Sequence, residues 1–567
     1  MAYESLMANE TASRYPDLGS GQEKSFGSYV ISTTHYYYRF LPQDSSQYEQ
    51  LLADEILAVS DTPFELEGQD NGVNYVDPSI ASTGSPFTYY YSVVPVGYAL
   101  PNGIQAEHLA DLHFTPEDEI GAEPTPAELE ALDFYYNLNL EALKISGQLP
   151  EEERRELRYM TSSNPNPLQS MSYEEVIRDK IPFDQVLIVF SDIDVAKSRR
   201  LWPPSGSITV EEDVLSSIQG SMRMVGVRNA HVKVRKWGWL VIQHAETTKT
   251  GAFVTSATRT QRVKYAVYFQ PRDKRFTVKA GTIFTDARHR GTNSYERGQW
   301  LQSFPLASDE HRSHFYALVH NAAADYTFDW VEHPDFMLTR PWWGIRISAK
   351  FNSTSSNYLG FLNSSIVPLG GSVPVFLSEI RVSRYNGDEK NRIYKGSDGI
   401  YATTTHELAH AGHFAMDRLM FLGFSGLFDV KQRDLMIESW AEGVETIVTN
   451  HRYDAIAPGS NIDYNSFRQE LGVGSQGSPN AISKYTPLFI DLNDRINQNT
   501  IFANFIPRPP VDRVSDYTIS QMQTSLKTSR TLVQLENRLR VNHDNPTEEN
   551  LAELFIYPLE VLATLQD

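Results

Sequence analysis

An α+β chain of several domains is what the sequence predicts, on three observations. Its 567 residues exceed what one hydrophobic core usually holds and imply about three or four domains. Residues 206–280 contain short runs that alternate apolar and polar positions, such as Ala230-His231-Val232-Lys233-Val234 and Tyr265-Ala266-Val267-Tyr268-Phe269, which is the period of half-buried strands. Two later segments, about 403–422 and 431–450, carry apolar residues at the helical period instead,.

Residues 1–25 are small and polar and read as a flexible leader,. Residues 26–205 form a Tyr-rich N-terminal region whose fold the pattern does not name, with a helix expected over Ala127–Ile145. Its clusters Tyr36-Tyr37-Tyr38 and Tyr89-Tyr90-Tyr91 are expected as strand and core residues rather than as a binding surface. The alternating runs of 206–280, separated by turn signals, predict a small β-sandwich,. That stretch resembles the transthyretin-like, carboxypeptidase-regulatory-like domain, and the resemblance places Gly251 in the turn before a core strand starting near Phe253. Residues 281–567 hold the two periodic helices and a tail, 451–567, that is helical in pattern with a break at Pro507–Pro510.

Composition narrows the function classes. The formal net charge is −21 and no Lys/Arg-dense run occurs, which argues against nucleic acid as a partner. No stretch of about 18 apolar residues is present, so no transmembrane helix is expected. There is no cysteine, hence no disulfide and no thiolate metal site. The opening MAYESLMANE lacks the basic start and apolar core of a signal peptide. The chain is therefore expected either in the cytoplasm or outside the cell as a mature form whose export signal has been removed.

The chemistry concentrates in His406-Glu407-Leu408-Ala409-His410, an HExxH pattern in a segment that favours helix. Two histidines four apart lie about 6 Å apart along the axis on one face, so their rings can converge on one ion. Glu407 points roughly a hundred degrees away and reaches a water held by that ion, the arrangement of a zinc site with its general base. Thr403-Thr404-Thr405 are expected to cap the helix, and Leu408, Ala411, Ala415, Leu419 and Leu422 form its apolar stripe. On the second helix Ile437, Trp440, Val444, Ile447 and Val448 form one face, and Glu438, Glu442 and Glu445 another. A catalytic zinc has three protein ligands and an open position, and a carboxylate from the second helix would complete it. His413 and Met416 stand where a metzincin needs glycine and a third ligand, so that pattern fails. His413 lies about 10.5 Å along the axis from His406 and reads as a residue beside the ligands or lining the pocket. Taken alone, Glu445 and His451 read as solvated.

HELAH followed 28 positions later by Glu438-Ser439-Trp440-Ala441-Glu442 resembles the gluzincin (thermolysin-like) metallopeptidases. The resemblance implies that His406, His410 and Glu438 bind Zn2+, and that Glu442, at the position of the group's second acidic residue (aspartate in thermolysin), accepts a hydrogen bond from a ligand histidine, His406. It also implies a two-lobed catalytic domain over 281–567: an aromatic-rich helix at Arg312–Asp335, an edge strand at Val373–Arg384 holding an extended substrate along Val375–Ile380, and a helical lobe at 451–567. The oxyanion donor would come from His451, Tyr453, Tyr485 or Tyr517, with no choice among them. The implied activity is hydrolysis of peptide or protein substrates by a zinc-activated water, with Glu407 as general base and then acid. The chain is also similar to zinc-peptidase lipoproteins of Bacteroidetes-type bacteria. That similarity implies a cell-surface location and a lipid anchor or outer-membrane complex reached through a removed N-terminus. The rival expectation is a surface binding or assembly component with a structural or inactive zinc site, against which the intact Glu407 weighs.

Overall fold

The computed structural model describes, with short gaps, residues 32–63, 77–113, 201–358, 380–421, 430–456, 486–501 and 510–564, together with segments 158–161 and 186–189 and a few isolated positions. The architecture is mixed α+β, as expected. In the N-terminal region β1 (His35–Leu41) runs between β2 (Tyr90–Pro95) and β3 (Gln105–Leu112), antiparallel to both. The two tyrosine clusters face each other there. Tyr37, Tyr89, Tyr90 and Tyr91 are buried, so the core reading was the right one. Helix α1 (Ser45–Ala53) starts at Asp44, whose carboxylate accepts from the Gln47 amide at 2.9 Å,. Of the helix expected over Ala127–Ile145, Ala131, Phe134 and Leu138 are described, and each is helical. Strands β4 (Arg158–Thr161) and β5 (Val186–Val189) form an antiparallel pair. The expected leader lies outside the described residues.

Two facing sheets follow. One contains β6 (Ser205–Glu211) with β7 (Met224–Gly226), β10 (Ala252–Val254) and β15 (Gln299–Phe304), and helix α2 (Asp213–Gln219) leaves from the end of β6. The other contains β8 (His231–Lys236), β9 (Leu240–Glu246), β11 (Arg262–Tyr268), β13 (Arg288–Arg290) and β14 (Tyr295–Glu296). Their inner faces interlock through aromatic rings. Tyr265 stacks on Trp300 at 5.3 Å, and Phe253 meets both edge-on at 5.8 and 6.3 Å. Gly251 has φ +80° immediately before β10, and a Cβ there would collide with the Ile208 carbonyl. Only glycine fits that turn, as the transthyretin-like pattern implied.

The sheets nevertheless do not end at residue 280. Strands β13, β14 and β15 belong to them, whereas β12 (Phe276–Lys279), inside the expected range, pairs in parallel with β16 (Ile345–Lys350) of the next sheet. A period-two pattern says that a segment is a strand but not which sheet takes it. That next sheet has the order β12-β16-β18-β17, with β17 at Asn357–Tyr358 and β18 at Ile380–Ser383. The strand expected at the edge is therefore internal where it is described: β18 is parallel to β16 on one side and antiparallel to β17 on the other. The Ser356 hydroxyl accepts from the Ser383 amide at 2.9 Å and closes that second side. Residues 373–379 of the expected edge strand lie outside the described residues. Strands β19 (Tyr385–Asn386) and β20 (Ile393–Tyr394) form a short hairpin.

Helix α3 (His311–Ala324) and a π-helical turn, Asp325–Trp330, occupy the aromatic-rich segment before β16. Phe315, Tyr316, Leu318, Val319 and Tyr326 are all buried, and so are His314, His320 and Asn321, so the segment is covered on every side. Helices α4 (Ser397–Met416) and α5 (Val430–Ile456) pack against each other, and α4 also packs on β18. The described part of the tail carries α6 (Ile519–Leu526), α7 (Leu532–Asn542) and α8 (Leu551–Thr564), besides single helical turns at Leu488–Asp491 and Gln498–Ile501. Thr518 and Gln521 make a capping box on α6, and Thr531 caps α7,. One contiguous apolar core runs from Trp202 through Trp300, Phe315, Leu408 and Trp440 to Phe555, so the facing sheets and the helices share their interior. No described helix is long and apolar enough to cross a membrane.

Helix α4 begins six residues earlier than the threonines that were expected to cap it, with Gly396 as its N-cap. Thr403 and Thr404 instead donate to the Gly399 and Ile400 carbonyls, at 2.8 and 2.7 Å; a mid-helix hydroxyl can satisfy itself this way as readily as at a cap. Gly412 gives α4 its close approach to the core. A Cβ there would lie 2.7 Å from the Tyr326 hydroxyl and against the Thr339 carbonyl. Gly412→Ala is expected to lower stability by about 1–3 kcal/mol, readable as a shift of the urea midpoint without a change in slope.

Candidate metal centre

The two helices that carry the motif run antiparallel. His410 meets Glu438, while His406, one turn earlier on α4, reaches Glu442 and Glu445, one and two turns later on α5. That order places three atoms in a small triangle. His406 Nε2 and His410 Nε2 are 3.1 Å apart, Glu438 Oε2 is 3.4 Å from His410 Nε2, and it is 3.8 Å from His406 Nε2. Ligand atoms held at 2.0–2.1 Å from a tetrahedral zinc lie about 3.3 Å from one another. The triangle is of that size, and these buried His and Glu groups can hold a metal ion.

On the other side of the His406 ring, Nδ1 donates to Glu445 Oε2 at 2.9 Å, with Glu442 Oε2 at 3.5 Å. The shorter contact therefore belongs to Glu445, not to Glu442, the acceptor implied by the gluzincin pattern. Glu445 is also buried rather than solvated. A signal existed: Glu438 and Glu445 are seven residues apart, about 20° short of two full helical turns, so they share a face more closely than Glu438 and Glu442 do.

Charge makes the same cluster demanding. Glu442 and Glu445 are buried and the Glu438 side chain retains 26% exposure. Burial pulls the His406 pKa down, but hydrogen bonds accepted by Glu438, Glu442 and Glu445 outweigh it and hold the ring well above the usual histidine range. His410 is shifted the other way, its burial only partly offset by Glu438. Burial also acts on Glu438, yet its bonds to the two histidines dominate and keep its carboxyl well below the usual range. A buried group of carboxylates facing imidazoles is stabilised by a cation between them.

Glu407 is buried and its Oε2 has no hydrogen-bond partner. Burial pushes its carboxyl up to about 8, His406 opposes this, and Glu438 and Glu445 add to it. Lys395 also opposes the rise; its Nζ donates to Ser383 and Thr403, each at 3.1 Å. An unpartnered buried carboxylate oxygen calls for a functional reason or a missing partner, and a metal-bound water is such a partner.

His413 is buried against the edge of Phe421 with both ring nitrogens lacking a hydrogen-bond partner, and burial pushes it down to about 3. It joins neither group of residues able to hold an ion. His451 is exposed, as read, and its ring meets Trp330, His333 and Phe336 at 5.0–5.4 Å. Of the other oxyanion candidates, Tyr453 donates to Glu212 at 3.1 Å and Tyr517 to Glu548 at 3.5 Å. Tyr485 lies outside the described residues. No family model matches the chain, and no curated protein and no solved structure shows significant similarity to it.

Proposed function

We propose that this protein is a zinc-dependent peptidase with a gluzincin-like, two-lobed catalytic region. The observation that carries the reading is the triangle of His406 Nε2, His410 Nε2 and Glu438 Oε2, with the buried carboxylate of Glu407 next along α4. His406, His410 and Glu438 would hold the ion. Zinc bound there supplies a water acidic enough to ionise near neutral pH. Glu407 would accept a proton from the attacking water as the water oxygen bonds to the substrate carbonyl carbon. It then returns the proton to the amide nitrogen as the carbon–nitrogen bond breaks. The facing sheets act as a scaffold in this reading, since they share the helices' core.

The experiment is metal analysis of the purified full chain alongside His410→Ala. Wild type is expected to hold about one zinc per chain and the variant close to none, with a lower melting temperature, because the ligand helices are also core-forming. Equal zinc in both would remove the assignment. Zinc bound by wild type with no cleavage of any denatured protein offered would favour the binding or assembly component.

A further inference from the structure

The Nδ1 side of His406 poses a question that the ligand triangle does not answer. Two sets of residues there can hold an ion, His406 with His410 and Glu438, and His406 with Glu442 and Glu445. They share one imidazole and lie on its opposite nitrogens. Resting on the peptidase reading above, we infer that Glu445 is the residue that positions His406, and that the Glu442–Glu445 side holds a proton, not a second ion.

The geometry separates the two carboxylates. Glu445 Oε2 stands 2.9 Å from Nδ1, the length of a charge-assisted N–H···O bond. Glu442 Oε2 stands at 3.5 Å, at the outer limit of any hydrogen bond. Both oxygens lie on the same side of one ring nitrogen, which carries one proton and so makes one good bond. Ions bound on both nitrogens would require His406 to lose both ring protons, which an ordinary histidine does not do near neutral pH. With Nδ1–H given to Glu445, the lone pair is left on Nε2, toward His410 and Glu438. The bond also restrains ring rotation and raises the basicity of Nε2, as carboxylates behind ligand histidines do.

Helix geometry explains why the seventh residue rather than the fourth fills this role. α4 and α5 are antiparallel, so the residue that orients His406 must lie beyond Glu438 in the direction of increasing number on α5. Glu445 lies almost directly above Glu438, whereas Glu442 is rotated about 40° from it. The ring of His406 bridges the gap between Glu438 and Glu445, meeting one through each nitrogen.

The test is zinc affinity of the full chain, measured by competition with a chromophoric chelator, for wild type, Glu445→Gln, Glu445→Ala and Glu442→Gln. Glu445→Ala is expected to weaken zinc binding about 10–100-fold. Glu445→Gln, which can still accept from Nδ1–H but without charge, is expected to recover part of that loss. Glu442→Gln, whose carboxylate stands farther from Nδ1, is expected to lose less zinc affinity than Glu445→Gln,. Should Glu445→Ala fail to fold, the comparison of the two near-isosteric Gln variants decides alone. A larger loss in Glu442→Gln than in Glu445→Gln, or two ions per wild-type chain, would overturn the inference. Wild type that binds no zinc would instead remove the metal-centre reading itself, so the two failures are distinct.

Discussion

Glu407→Gln is expected to lower peptide hydrolysis by roughly 10²–10⁴-fold while leaving the fold and zinc content unchanged. Gln is nearly isosteric with Glu and can still hydrogen-bond a water, but it cannot take its proton. The substitution also breaks little, because Glu407 Oε2 has no hydrogen-bond partner within the protein. In the metal-free protein the effect on stability has a defined sign. Burial raises the Glu407 carboxyl from 4.5 to about 8, so between those values the folded state binds more protons than the unfolded one. Stability due to this group is then present below about 4.5 and is lost as pH rises toward 8. Metal-free Glu407→Gln should therefore be more stable than metal-free wild type at pH 8, with the difference closing toward pH 4.5. Hydrolysis is read on denatured mixed protein with a chelator control, and stability by thermal melts across that range. Equal activity in the two proteins would place the chemistry elsewhere.

Arg452→Met is expected to destabilise the full chain by about 3–5 kcal/mol, the cost of removing one partner of a buried ion network. Arg452 lies two turns beyond Glu445 on α5 and is bonded to Glu212 at 2.6 Å and to Asp325, with its guanidinium 4.4 Å from the centre of the Tyr401 ring. Asp325 also pairs with Arg228 at 2.8 Å, and Arg228 pairs with Asp329. The network joins the end of β6, the π-helical turn after α3 and the C-terminal part of α5 around largely desolvated charges. Removing Arg452 leaves Glu212 with the Tyr453 hydroxyl at 3.1 Å and Asp325 with Arg228. Glu212→Gln in the same chain should recover part of the loss, since it removes one of the stranded charges. Urea unfolding of the two variants measures both effects, and a loss under about 1 kcal/mol would show that the network is solvated enough to rearrange.

What the sequence determined by itself was local. The spacing of His406 and His410 fixed two imidazoles on one helical face, since 3.6 residues per turn leaves no other arrangement. Apolar periodicity located α4 and α5, although α4 begins six residues earlier and α5 ends six residues later than expected, and alternation marked β8 and β11. The turn at Gly251 was implied by the transthyretin-like resemblance, and its positive φ and close approach to Ile208 came from the structure,. Tertiary structure decided what depends on a partner distant in the chain. Parallel pairing drew β12 out of the facing sheets, and β17 closed the side of β18 that was expected to be open. Spacing within α5 puts Glu445 on the face of Glu438, but only the packing offset of α5 along α4 brings that face to Nδ1 of His406. Glu445 looks like one more charge on a helix surface until α4 covers it, and burial then turns an ordinary solvated glutamate into the hydrogen-bond acceptor of His406.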